Sequence, residues 1–124
     1  MRKFSYAGTH IIADFWSPKE IQTTKELKRI LLGAAKAAKS TVLGISFHEF
    51  KPRGVTGLLL LSESHIALHS WPEVSYLAVD IFTCGKKSRP KLALQFLEKE
   101  LKPKNVVMQE IKRGDIQQAQ GIIA

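Results

Sequence analysis

Four leucines stand in succession at positions 58–61, between Gly57 and Ser62. The run is far short of the roughly 20 apolar residues that span a bilayer, and β-forming residues surround it. In a strand, successive side chains point to opposite faces. Two of the four leucines must therefore lie on one side of a sheet and two on the other. A sheet that is apolar on both faces needs cover on both. The chain's own helices can supply one layer, and the economical source of the second is another copy of the chain.

The remaining elements follow from apolar spacing. Residues 9–16, with Ile11, Ile12, Phe15 and Trp16, read as a first strand broken by Ser17-Pro18. Thr23 or Thr24 is the N-cap of a helix reaching about Lys39. Its stripe of Leu27, Ile30, Leu31, Ala34, Ala35 and Ala38 has the spacing of one buried face. Strands are expected over 41–50, 57–62, 65–70 and 76–83, punctuated by Pro52, Gly54 and Pro72. Pro90 opens a second helix carrying Ala93, Leu94, Leu97 and Leu101 and ending before Pro103, and residues 105–111 form the last strand. The order β-α-β-β-β-β-α-β predicts an α+β two-layer sandwich: a largely antiparallel sheet with two helices on one face. With the leucine run, it predicts a homodimer packed sheet to sheet, αββα in section.

At 124 residues and 44% apolar composition, one domain over residues 1–124 is expected. Nothing in the first residues has the apolar core of a signal peptide. The single cysteine, Cys84, permits no internal disulfide. Both point to a cytoplasmic protein with no membrane partner. The net charge of +8 would suit nucleic acid, but the basic residues are scattered and not interleaved with aromatics, which argues against that partner.

Potential chemistry is densest between residues 62 and 85. His65, His69 and Cys84 could each ligate zinc, but on a strand two histidines four residues apart stand about 13 Å from each other, too far to converge on a metal; no metal is expected. Ser64, His69 and Asp80 have the residue types of a hydrolase triad, without the Gly-x-Ser-x-Gly elbow that would support one. Each group also has a plain structural reading, with Cys84 as a small core residue and the histidines as satisfied polar groups. Their coincidence in one short segment is what weighs against it.

The string Leu61-Ser62-Glu63-Ser64-His65-Ile66-Ala67-Leu68-His69-Ser70-Trp71-Pro72-Glu73, with Tyr76 and Asp80-Ile81-Phe82-Thr83-Cys84-Gly85 downstream, closely resembles the small prokaryotic pyruvoyl-dependent S-adenosylmethionine decarboxylases. The similarity extends through Gly8-Thr9-His10, Phe47-His48-Glu49-Phe50, Gly54-Val55-Thr56-Gly57 and Lys112-Arg113-Gly114. The sequence departs from the family pattern at Ser70, where threonine is usual, and at Val74-Ser75, where an aromatic or leucine followed by glycine is usual.

The resemblance implies a reaction and its apparatus. Losing carbon dioxide from an α-amino acid leaves carbanion character at Cα, which requires an electron sink. The family makes one from its own backbone as a covalent pyruvoyl group, without pyridoxal phosphate or metal, and the match places it at Ser64. The Ser64 hydroxyl would attack the Glu63 carbonyl, turn the peptide into an ester and leave by β-elimination. The chain would thereby separate into a β chain, 1–63, and an α chain, 64–124, with the pyruvoyl group at residue 64 forming an imine with the substrate amine. The resemblance assigns His69 as the processing base and Thr56 as its hydroxyl partner. It assigns Cys84 as the acid that returns a proton to Cα, Phe50 as the ring stacked on adenine, and Glu73 as the acceptor for the ribose hydroxyls. The implied product is the aminopropyl donor of spermidine synthesis. Two other readings stand beside it: an arginine decarboxylase of the same family, and a non-catalytic α+β module binding RNA.

Overall fold

The computed structural model describes residues 6–62, 64–84 and 88–118. Eight principal elements appear in the expected order: β1 (Tyr6–Trp16), α1 (Thr24–Ala37), β2 (Val42–Glu49), β3 (Val55–Leu61), β4 (Ser64–Trp71), β5 (Tyr76–Cys84), α2 (Pro90–Leu101) and β6 (Asn105–Asp115). A single 3₁₀ turn, Pro72–Val74, joins β4 to β5. The strands form one open sheet, β2-β3-β4-β5-β1-β6, with every neighbouring pair antiparallel.

Thr23 caps α1, its hydroxyl accepting from the Glu26 N–H at 3.1 Å and satisfying one of the helix's unpaired donors. The expected stripe is buried to the last alanine, and so is that of α2. These helices cover one face of the sheet. Ile11 and Phe15 of β1, Leu59 and Leu61 of β3, Ile66 and Leu68 of β4 and Val79 and Ile81 of β5 complete the core beneath them. The layers come close at Gly57. A Cβ there would lie 2.8 Å from both Leu27 Cδ2 and Leu31 Cδ1, so only glycine lets α1 settle onto β3.

The leucine run alternates as required. Leu59 and Leu61 are buried under the helices, while Leu58 and Leu60, 45% and 53% exposed, stand on the opposite face. Alternation places Ile12, Ala67, Phe82 and Ile111 on that face too. It is here called the open face, because no element of the described chain covers it.

Two boundaries differ from expectation by more than two residues. β1 begins at Tyr6 rather than residue 9, and β6 runs to Asp115 rather than 111. The two strands stay paired out to Tyr6↔Asp115, through Ala7, Gly8, Lys112 and Arg113, which show no apolar alternation. Ladder hydrogen bonds join backbones and do not require an apolar side chain.

Candidate active site

The strand register divides the sequence-predicted site residues between the two ends of β4. At its first residue, Ser64 is 8% exposed, and its hydroxyl accepts a hydrogen bond from the Cys84 N–H at 3.1 Å. The first residue of β4 is thus tied to the last residue of β5, and the nucleophile candidate and the thiol share one end of the sheet. Glu63 lies outside the described residues, as do Gly85, Lys86 and Lys87.

At the other end of β4, His69 pairs across the ladder with Thr56 of β3. His69 Nδ1 and Thr56 Oγ1 are hydrogen-bonded at 3.2 Å. Thr56 in turn faces His48 of β2, whose ring meets Phe50 edge to face at 4.6 Å between centroids. The β2–β3 turn closes with the Phe50 N–H donating to the Gly54 carbonyl, and Gly54 takes the positive φ of 108° that such a turn demands of glycine. The result is a cleft of about 480 Å³ whose walls include Phe50, Arg53, Thr56, His69, Trp71 and Glu73.

Of the groups that the resemblance placed in binding or processing beside Ser64, Phe50, Thr56, His69 and Glu73 gather in this cleft, without Ser64 or Cys84. Ser64 and His69 are separated by five residues of continuous strand, about 16 Å, so His69 cannot reach Ser64 within one chain.

The departures from the family pattern have local accounts. The Ser70 hydroxyl accepts from the Val55 N–H at 2.8 Å, a bond threonine would make equally well. Ser75, where glycine is usual, adopts φ 54° and ψ 49°. This left-handed conformation costs a non-glycine residue about 1–2 kcal/mol.

Several functional candidates carry no role under the family resemblance. Arg53 lines the cleft and is held by Glu20, with Nε–H donating to Oε2 at 3.1 Å and an Nη2–H to Oε1 at 2.6 Å. This pairing holds the Glu20 carboxyl below its ordinary range. Their separation of 33 residues hid the pair. A second group occupies the open face toward the Ser64 end. Asp80 accepts from His10 Nε2–H at one carboxylate oxygen and from His65 Nε2–H at the other, the latter at 3.0 Å. Burial alone would raise the Asp80 pKa, but the hydrogen bonds from His10 and His65 outweigh it, and the net direction is downward.

His10, His65 and Asp80 lie close enough to share a metal ion, but the hydrogen bonding at His10 opposes it. An Arg113 Nη1–H points at His10 Nδ1, 3.2 Å away. Guanidinium can only donate, so Nδ1 accepts and the ring proton sits on Nε2, the atom a metal would need. The zinc set weighed from sequence is not assembled either, for this group contains neither His69 nor Cys84. Nor is a Ser64-His69-Asp80 triad formed, since Asp80 serves His10 and His65.

An open antiparallel sheet with a buried serine held by a cysteine amide, and a histidine–threonine pair beside an aromatic cleft, is an arrangement suited to the small self-processing decarboxylases that the sequence resembles. Comparison with known proteins agrees. The family model described as S-adenosylmethionine decarboxylase matches residues 9–114, and the chain belongs to that family. It is 40% identical over 111 residues to an S-adenosylmethionine decarboxylase proenzyme of Methanococcus maripaludis strain S2, covering 88% of this chain and 91% of that protein. A proenzyme of the same description from Thermoplasma volcanium is 39% identical over 117 residues, covering 93% of this chain and 90% of that one. The crystal structure of the adenosylmethionine decarboxylase from Aquifex aeolicus VF5 superposes with a TM-score of 0.83 at 34% identity, over 90% of this chain and 93% of that chain.

Proposed function

We propose that this chain is a self-processing, pyruvoyl-dependent decarboxylase of S-adenosylmethionine, supplying the aminopropyl donor for spermidine synthesis. The observation that carries the reading is the buried Ser64 hydroxyl, held by the Cys84 N–H at the head of β4, in a chain of this family. A single domain over residues 1–124 would be cut between Glu63 and Ser64. In that step the Ser64 oxygen bonds to the Glu63 carbonyl carbon as the peptide C–N bond breaks. The ester then leaves residue 64 by elimination, with the Glu63 carboxylate departing and the Ser64 Cα proton going to a base. Water hydrolyses the resulting enamine to the α-keto group and ammonia.

A serine at position 64 is the residue from which a pyruvoyl group can form, and the neighbouring thiol is a group able to deliver a proton there, so the residues present fit the cofactor. When formed, the group supplies the electron sink for decarboxylation. The chain's own residues do the rest. The Cys84 thiol, a group that can donate a proton, returns one to the substrate Cα. Phe50 offers a flat apolar face to the purine, and Glu73 offers carboxylate oxygens to the ribose hydroxyls. With Nδ1–H donating to Thr56 Oγ1, His69 keeps Nε2 free as the processing base.

His69 would serve Ser64 from a second copy. A two-fold axis lying in the interface between the two sheets, perpendicular to β4 and level with its middle, would lay the His69 end of one chain over the Ser64 end of its partner, forming two complete sites. Such a homodimer would also cover Ile12, Leu58, Leu60 and Ile111, which one chain leaves in water. The unassigned +8 charge takes no part in this reading. Among the described residues no helix is long and apolar enough to cross a membrane; the cytoplasmic site is that of a biosynthetic enzyme of this family.

Arginine is not favoured as the substrate. The relatives carry the adenosylmethionine description, and arginine has neither a purine nor a ribose for Phe50 and Glu73. Denatured intact mass tests the processing: the parent gives two fragments and Ser64→Ala gives one. Carbon dioxide release from S-adenosylmethionine and from arginine then decides the substrate. An uncut parent that is nevertheless active would overturn the mechanism, and an uncut, inactive one that binds RNA with a steep salt dependence would favour a binding module.

A further inference from the structure

Three aromatic rings lie in a row across three adjacent strands on the open face. The register aligns Trp71 of β4 with Tyr76 of β5, and Tyr76 with Trp16 of β1. Trp16 stacks on Tyr76 with centroids 4.7 Å apart and planes 28° apart, and Tyr76 stacks on Trp71 at 5.4 Å and 23°. The outer ring of this row, Trp71, is also a wall of the cleft that holds Phe50, His69 and Glu73.

The middle ring is anchored independently. The Tyr76 hydroxyl donates to Asp14 Oδ1 at 2.5 Å, and Asp14 lies on the same face as Trp16, two residues before it. Burial first, then the hydrogen bond and the negative charge of Asp14, push the Tyr76 pKa up to about 12. The hydroxyl therefore remains a donor throughout the physiological range. At the strand ends, the Ser17 N–H donates to the Ser75 carbonyl at 2.7 Å, closing the β1–β5 ladder beside the stack. Trp71 has no such anchor. It is 44% exposed, and its only other ring contact among the described residues is a tilted one with His69 at 6.3 Å.

We infer that Tyr76, fixed by Asp14 and Trp16, is a positioning residue that sets the Trp71 indole as a wall of the substrate cleft. The inference rests on the function proposed above. Tyr76 touches no substrate and acts through Trp71. Its removal should weaken occupancy of the cleft without altering the groups that make or break bonds.

The test is steady-state decarboxylation of S-adenosylmethionine by the cleaved enzyme, together with near-ultraviolet circular dichroism of the stacked rings. Tyr76→Leu should raise KM roughly three- to tenfold, the scale of one lost ring stack, with kcat changed less than twofold. Tyr76→Phe keeps the stacked ring but loses the bond to Asp14, and its KM should fall between those of the parent and Tyr76→Leu. Trp16→Leu, which leaves the Tyr76–Trp71 pair held only by the bond to Asp14, should shift KM in the same direction by a smaller factor, and it decides the matter should Tyr76→Leu not fold. Variants whose dichroism shows the row broken, yet whose KM stays within twofold of the parent, would overturn the inference. So would an equal fall in kcat and kcat/KM at unchanged KM. A parent protein that does not decarboxylate S-adenosylmethionine would instead overturn the function on which the inference stands.

Discussion

Ser64 and His69 are residues of one unbroken strand, yet they belong to opposite ends of the sheet: Ser64 bonded to the Cys84 amide and His69 to the Thr56 hydroxyl. Strand rise alone keeps them about 16 Å apart. A base at His69 can therefore act on Ser64 only from another chain.

Mixing inactive variants exposes that arrangement. Ser64→Ala and His69→Ala should each remain uncut alone. Co-refolded together, they should yield cleavage of the His69→Ala chain by the intact His69 of its Ser64→Ala partner, read by intact mass. Absence of cleavage in a demonstrated mixed dimer would place the processing base elsewhere.

The Cys84 thiol is assigned to turnover and only its backbone N–H to the Ser64 hydroxyl. Cys84→Ala retains that N–H, so self-cleavage should proceed while kcat falls by about 10²- to 10⁴-fold, the range of general acid–base catalysis. Intact mass and carbon dioxide release separate the two effects. Unchanged turnover would remove Cys84 from the mechanism.

Asp80 couples stability to acid. Its folded-state pKa is depressed, so its contribution is fully present above the ordinary aspartate range and is lost as pH falls through the lower folded value. Asp80→Asn should therefore lower Tm more at pH 7 than at pH 3. Thermal melts at the two pH values check this, and a gap that does not shrink in acid would contradict the assignment.

Gly57→Ala should destabilise the fold by about 1–3 kcal/mol through overpacking, because its methyl group meets Leu27 and Leu31 where α1 rests on β3. The urea midpoint should fall with the slope unchanged.

The elements were legible because each leaves a periodic mark. The apolar stripes of α1 and α2, Thr23 as a cap and Pro90 at a helix start all required only local spacing. The leucine run was the most informative segment, since alternation alone committed Leu58 and Leu60 to a face the helices do not cover. The outer parts of β1 and β6 were not legible, because they are held by a backbone ladder that polar residues satisfy as well as apolar ones.

The candidate site divides along the same line. Resemblance to a family pattern is what singled out Ser64, His69 and Cys84 in the sequence, since residue types alone left a zinc set and a hydrolase triad open as well. Which of them stand together was decided by strand register. Register joins Ser64 to Cys84 across 20 positions and His69 to Thr56 across 13, and it strands the two pairs at opposite ends of the sheet. The bonds of Asp80 to His10 and His65, the grip of Glu20 on Arg53 and the row of Trp16, Tyr76 and Trp71 also depend on contacts between distant segments. Side-chain identity is a local property of the chain, whereas proximity across a sheet arises only once the strands have paired.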